Sequence, residues 1–229
     1  MKLIPQPQQI APLPGQYRIT YRDRITLDAG CSPAAYTYAK LLAGELEKST
    51  GLSLLIDRRT ARSHPGIHLR QSPELEQSLG KESYEIGITP QGVEITGSGD
   101  AGLLHGVQTL RQIVRQEGPC LPCLSLKDNP ALPVRGLFYD VTRGRIPTTA
   151  FLKELADRCS YYKINQLHLY MEHTFLFDGF SEVWRDDTPL TPADILELDA
   201  YCRSLQIDLV PSIATLGHLY KVLRTKSYR

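Results

Sequence analysis

Val134-Arg135-Gly136-Leu137-Phe138-Tyr139-Asp140-Val141-Thr142-Arg143 opens the half of the chain that decides the fold. Val134–Val141 reads as a buried strand, and Phe151, Leu152, Leu155, Cys159 and Tyr162 then mark a helix. Ile164–Met171 reads as the next strand. Thr191-Pro192-Ala193-Asp194 is a capping box with proline at the first helical position, since both side chains satisfy free N–H groups at a helix start. Ile195, Leu198, Cys202 and Leu205 supply the apolar stripe of that helix, and Ile207–Ile213 reads as a third strand. Strict strand–helix alternation means a parallel sheet with right-handed crossovers. An open doubly wound sheet and an eight-fold barrel both satisfy the pattern. Three units do not close a barrel, which takes about 250 residues.

Upstream the texture differs. The polar, proline-bearing stretch Lys127–Pro133 reads as a linker, dividing a first domain, 1–130, from a second, 131–229. Ser32-Pro33 predicts an N-cap followed by proline, and Ala35, Ala39, Leu42 and Leu46 then form one face of a helix that stops at Gly51. Leu52, Leu54 and Ile56 alternate as a strand does. Tyr84, Ile86 and Ile88 alternate again, Thr89-Pro90-Gln91-Gly92 makes a turn, and Val93 and Ile95 return, predicting an antiparallel hairpin. A second helix carries Leu103, Val107, Leu110 and Val114. A sheet covered by two helices follows, a small α+β domain.

Two motifs invite other functions. Gly97-Ser98-Gly99-Asp100-Ala101-Gly102 is a literal G-x-G-x-x-G between a strand and a helix. Its strand belongs to a hairpin, however, and no acidic residue ends a following strand about 20 residues on. A tight strand-to-helix turn is the favoured reading, with a nucleotide-binding open sheet as a remote alternative. Cys120-Leu121-Pro122-Cys123 follows a helix instead of opening one, where the dipole would lower a thiol pKa. It has no second pair to complete a zinc site, so packing cysteines are expected and no metal or cofactor.

Composition narrows the partners. The chain has 229 residues, 41% hydrophobic and 22% charged, and 26 basic against 25 acidic side chains leave a formal charge of +1. A nucleic-acid binder carries a basic excess, so a neutral substrate is expected and no nucleic acid. Met1–Pro7 lacks the apolar run of a secretory signal, and no stretch approaches the roughly 18 apolar residues of a membrane span. No membrane partner is expected. Five scattered cysteines read as reduced thiols, placing the expected location in the cytoplasm.

The second half places polar residues where a barrel would use them, at the carboxyl ends of strands. Strand one ends in Asp140 and leads to Arg143, strand two ends in Glu172-His173, and strand three runs into Gly217-His218. Each alone has a bland reading: a turn cap, a solvated loop charge, a satisfied loop histidine. Polarity at the same end of three consecutive strands favours a site.

Val134 to Arg143, Tyr162-Lys163-Ile164-Asn165-Gln166-Leu167-His168-Leu169, and Leu209-Val210-Pro211 through Gly217-His218 together resemble glycoside hydrolase family 20, the β-N-acetylhexosaminidases. Gly97–Leu110 is similar to the end of that family's accessory domain, so the resemblance covers nearly the whole chain. It implies a small α+β accessory domain followed by the first three βα units of a (β/α)8 TIM barrel, incomplete here. It also implies a sugar-gripping role for Arg143, whose fork of donors suits vicinal hydroxyls. Asp140, Glu172, His173 and His218 are the accompanying substrate-binding candidates. The implied partner is a glycan or glycoside carrying terminal N-acetylhexosamine, removed with retention through the substrate's own acetamide oxygen. That chemistry needs an Asp-Glu pair which the family carries after strand four. No Asp-Glu dipeptide occurs in this sequence; the nearest acidic doublet, Asp186-Asp187, lies in the strand-two loop. The expectation is therefore a truncated piece without catalytic residues, the alternative a non-catalytic relic with residual sugar-binding groups. Glu172-His173 stands where the family commonly has paired aspartates, and Ser212, Ile213 and Ala214 stand where it has acidic residues. Trp184 is either a stacking indole or a packing residue.

Overall fold

The computed structural model describes residues 1–59, 65–184 and 188–228. Two compact units emerge, one of Met1–Pro133 with Tyr161–Lys163, the other of Val134–Ser160 with Ile164–Arg229. Asp186 and Asp187 lie outside the described residues.

The first unit contains seven strands: β1 (Gln9–Arg18), β2 (Arg24–Asp28), β3 (Leu55–Arg59), β4 (Gly66–Gln71), β5 (Tyr84–Thr89), β6 (Gly92–Gly97) and β7 (Cys120–Asp128). Its helices are α1 (Ala35–Thr50), α2 (Pro73–Leu79) and α3 (Asp100–Glu117). The strands form one mixed sheet in the order β1-β7-β5-β6-β4-β2-β3. β5 and β6 make the expected antiparallel hairpin, Ile86 opposite Ile95. β6 also pairs in parallel with β4. Tyr38, Leu42 and Leu46 of α1 and Leu103, Val107, Leu110 and Val114 of α3 join Ile25, Leu69, Ile86 and Ile95 of the sheet in one core. Full burial of each such side chain contributes roughly 1.5–3 kcal/mol.

Local details depart from the expectations. α1 begins at Ala35 with Ala34 at its cap and no side-chain capping bond. The Ser32 hydroxyl instead bonds the Asp100 carboxylate, which also accepts from Gln71 Nε2 at 2.7 Å. The helix does stop at Gly51, whose φ of 75° is the left-handed geometry that suits glycine. β3 starts at Leu55, later than the alternation from Leu52 indicates. Lys127 and Asp128 pair within β7, so they belong to the sheet and not to a linker. β1 carries Pro12 and Pro14, which break the alternation pattern; prolines are tolerated there because the strand is an edge.

The glycine motif is a packing device. A Cβ on Gly102 would lie 2.2 Å from the Ser83 carbonyl oxygen, and one on Gly97 2.2 Å from the Leu103 nitrogen. The chain's own backbone fills the space that these glycines open.

The second unit holds β8 (Gly136–Asp140), α4 (Thr149–Tyr161), β9 (Gln166–Met171), α5 (Ser181–Trp184), α6 (Pro192–Ser204), β10 (Asp208–Ile213) and α7 (Tyr220–Leu223). Tyr161, the last residue of α4, clusters with the first unit. The three strands are parallel in the order β10-β9-β8, each a little shorter than the apolar run that marks it. Thr191 and Asp194 form the expected capping box at α6. In β9, Leu167, Leu169 and Met171 are buried, whereas Gln166, His168 and Tyr170 are half-buried on the opposite face. Among the described residues, no helix is long and apolar enough to cross a membrane.

Candidate functional site

β8 and β9 run side by side in parallel, with Asp140 paired to Tyr170. Both strands therefore deliver their last residues to the same end of the sheet. Beyond β8 the chain turns on the Asp140 carboxylate, whose Oδ1 accepts from the Thr142 and Arg143 backbone N–H groups at 2.8 and 3.3 Å. That local turn is the sort that aspartate makes with backbone a few residues on. It brings the Arg143 side chain back, so that Nη1 donates to Asp140 Oδ2 at 2.6 Å.

The other arm of the guanidinium reaches the neighbouring strand end. Arg143 Nη2 donates to Glu172 Oε1 at 2.9 Å, and Tyr170 donates its hydroxyl to the same oxygen at 2.9 Å. The guanidinium carbon lies 5.3 Å from the centroid of the Tyr170 ring. One cation is thus held by two carboxylates and an aromatic face, although its side chain stays 55% exposed. Desolvation raises the Asp140 pKa, but the Arg143 hydrogen bond and the two backbone amides outweigh it and hold the carboxyl below its ordinary value. Arg143 is correspondingly raised, chiefly by its hydrogen bond to Asp140, and stays charged at any working pH. A guanidinium has five N–H donors in a plane, so donors remain for a ligand's hydroxyl groups after these two contacts.

The five candidate residues do not form one cluster. Asp140, Arg143 and Glu172 come together by hydrogen bonds. His218 is exposed, has a φ of 60°, and meets the edge of the Tyr170 ring at 6.4 Å between centroids. His173 turns elsewhere: it is buried, and its Nε2 lies 2.6 Å from Lys221 Nζ. An ammonium only donates, so this imidazole nitrogen is the acceptor. Adjacent residues 172 and 173 therefore serve different groupings.

Tyr170 is the residue that sequence reasoning missed. Its signal is the period of β9, which puts it on the same face as Gln166 and His168 at a strand end, beside the Asp140 register position. Trp184 ends α5 and lines an apolar cavity of about 270 Å³ with Phe175, Phe177 and Phe180. Of the cysteines, Cys120 and Cys123 sit three apart in β7, and all five are free thiols. Burial pushes Cys159 up to about 11 and Cys202 up to about 12, so both stay protonated and unreactive. Among the described residues, no group of three metal-ligating side chains converges.

Residues 1–129 match the family described as "Glycosyl hydrolase family 20, domain 2". The β-hexosaminidase of Akkermansia muciniphila is 32% identical over an alignment covering 70% of this chain and 36% of that protein. The β-hexosaminidase of Vibrio furnissii is 26% identical, covering 95% of this chain and 38% of its own length. Among solved structures, the GH20 β-N-acetylhexosaminidase of Streptomyces coelicolor A3(2) superposes with a TM-score of 0.84 at 30% identity, over 96% of this chain and 48% of that one. A mutant Streptomyces plicatus β-hexosaminidase in complex with its product GlcNAc gives the same TM-score of 0.84 at 30% identity, over 96% and 47%. The chain thus spans under half the length of these relatives.

Proposed function

The chain belongs to glycosyl hydrolase family 20, and from that premise we propose that it supplies the sugar-gripping side of a β-N-acetylhexosaminidase. On this reading residues 1–130 are the accessory domain, and β8–α4, β9–α6 and β10 open a (β/α)8 barrel. Parallel pairing in chain order with intervening helices supports the assignment. The substrate is a glycoside with a terminal N-acetylhexosamine.

One observation carries the proposal: Arg143 is fixed between Asp140 and Glu172 at the carboxyl ends of adjacent parallel strands, with its guanidinium half exposed. Carboxylates that orient an arginine make its remaining donors a preformed fork for vicinal hydroxyls. Asp140 and Glu172 are positioning groups in this scheme, and any carboxylate oxygen not taken by Arg143 or Tyr170 accepts from a sugar hydroxyl. Tyr170 keeps the guanidinium plane in place. His218 borders the same cluster through Tyr170.

The retaining, substrate-assisted reaction needs one carboxylate to orient the acetamide and another as general acid and base. This chain contains no Asp-Glu dipeptide to fill those roles. The 229-residue polypeptide is therefore expected to bind N-acetylglucosamine without turning over an aryl N-acetylglucosaminide. Robust turnover would remove the claim that the acid pair is absent. Calorimetric titration with N-acetylglucosamine tests the grip: Arg143→Ala is expected to weaken binding by roughly tenfold or more, the loss of a charge-assisted hydrogen-bond pair. Arg143→Lys is expected to restore little of it, because the planar fork is lost. Unchanged affinity in both variants would sink the assignment.

A further inference from the structure

The sheet of the first unit packs one face on α1 and α3, and its other face carries polar groups that the Arg143 cluster does not use. Tyr84, Ile86 and Ile88 of β5 and Val93 and Ile95 of β6 point into the core. Glu85, Gly87, Glu94 and Thr96 alternate with them and so point the other way. There they line a cavity of about 400 Å³, completed by Arg70 of β4, Ser125 of β7 and the flank of α2. Proteins hold small molecules in cavities of roughly 300–1,000 Å³.

Two independent observations point to an occupant. Gly87 lies inside β5, paired with Glu94 on one side and Ser125 on the other. A glycine in mid-strand costs roughly 0.5–1 kcal/mol relative to alanine. Neither usual reason for one applies, because its φ is outside the left-handed region and a Cβ would meet nothing within 4 Å. The missing side chain keeps the cavity floor bare, as a strand glycine does where a ligand approaches closely. The second observation is Thr96, only 8% exposed, whose hydroxyl borders the cavity and bonds no described residue. Polar groups that deep are nearly always hydrogen-bonded, so this one is left for an occupant. The Ser125 hydroxyl, across β5, is likewise unengaged among the described residues.

The charges narrow the class of occupant. Glu85 pairs with Lys127 at 2.6 Å and Glu94 with Arg70 at 3.8 Å, while Glu74 on α2 is exposed and bonded to Ser72. An ionic ligand would thus meet no unopposed counter-charge on the strands. At 3.8 Å the Arg70–Glu94 pair is too long for a direct hydrogen bond. Guanidinium donors, carboxylate acceptors and two hydroxyls therefore border one space, a mixture matched by groups that donate and accept at once. We infer that this face of the first unit is a second binding site, taking an uncharged, hydroxyl-rich molecule of about monosaccharide size. It uses none of the residues around Arg143 and does not depend on the sugar grip.

The test follows amide NMR shifts of the full chain carrying Arg143→Ala, which silences the other site. The probes are two neutral sugars, glucose and N-acetylglucosamine, and two charged ones, glucosamine and glucuronate. Expected are saturable shifts at Gly87, Thr96 and Ser125 with at least one neutral sugar, and affinity about fivefold weaker or worse for both charged probes. Gly87→Val is expected to abolish these shifts while keeping or raising the unfolding midpoint, because the position has room and valine favours strands. Should that variant fail to fold by circular dichroism, Thr96→Val keeps the shape and removes the hydroxyl; about fivefold weaker binding is expected. No saturable shift at these amides with either neutral sugar would overturn the site. Tighter binding of glucosamine or glucuronate than of both neutral sugars would overturn the assigned ligand class. Shifts that survive Gly87→Val and Thr96→Val unchanged would place the ligand elsewhere and overturn the site as well.

Discussion

Tyr170 faces Arg143 with its ring and Glu172 with its hydroxyl, so one side chain braces both partners of an ion pair that spans two strands. Asp140 completes the brace from the other side, and its depressed carboxyl pKa has a consequence for stability. A carboxyl that is depressed in the folded state stabilises the fold above its unfolded pKa, and that contribution fades as pH falls through the folded value. The unfolded value is about 3.9. Urea unfolding of the wild type and Asp140→Asn is thus expected to show a small difference at pH 6 that shrinks below about pH 4, small because the pair is largely solvated. A difference that grows on acidification would contradict this assignment. Asp140, Arg143 and Glu172 were legible in the sequence as polar strand ends, whereas Tyr170 was not. The separation of Glu172 from His173 was not, because past the end of β9 the side-chain period no longer says which way a residue turns.

Elements were legible where one strong local signal acts alone. The capping box at α6 is such a case: Thr191 Oγ1 accepts from the Asp194 N–H at 3.1 Å, and Asp194 Oδ2 accepts from the Thr191 N–H at 2.8 Å. Thr191→Ala is expected to cost about 1 kcal/mol in denaturant unfolding. The start of α1 was misread for a reason that also has a test. Ser32 has the chemistry of a cap, but its hydroxyl finds a better acceptor in Asp100, far along the chain, at the first turn of α3. The glycines beside that turn set how closely α3 lies on its neighbours. Gly102→Ala would force a methyl into the Ser83 carbonyl, and a loss of about 2–3 kcal/mol is expected, larger than the penalty of Thr191→Ala and opposite in sign to alanine's helix preference. A neutral or stabilising result would show that the close approach is not required.

At the scale of the molecule the two units differ in how much they bury. β5, an interior strand of the seven-stranded sheet, has Tyr84, Ile86 and Ile88 almost wholly enclosed, whereas β10, at the edge of the three-stranded sheet, has no buried residue. Amide exchange is expected to be slowest at β5 and β6 and markedly faster at β10, since opening is easiest where few apolar contacts oppose it. Uniform protection of both sheets would contradict that picture. The sequence by itself determined the strand–helix alternation, the hairpin, the α6 cap and the polar ends of three strands, because each is written in spacing between near neighbours. It did not reveal β1, β2 or β4: prolines interrupt the first, and the other two are short strands that contribute little periodicity of their own. Only the tertiary structure decided that Asp140, Arg143, Tyr170 and Glu172 form one hydrogen-bonded cluster, and that Trp184 faces an aromatic cavity. Those contacts depend on register between strands and on where loops return, and neither is set by any local stretch of chain.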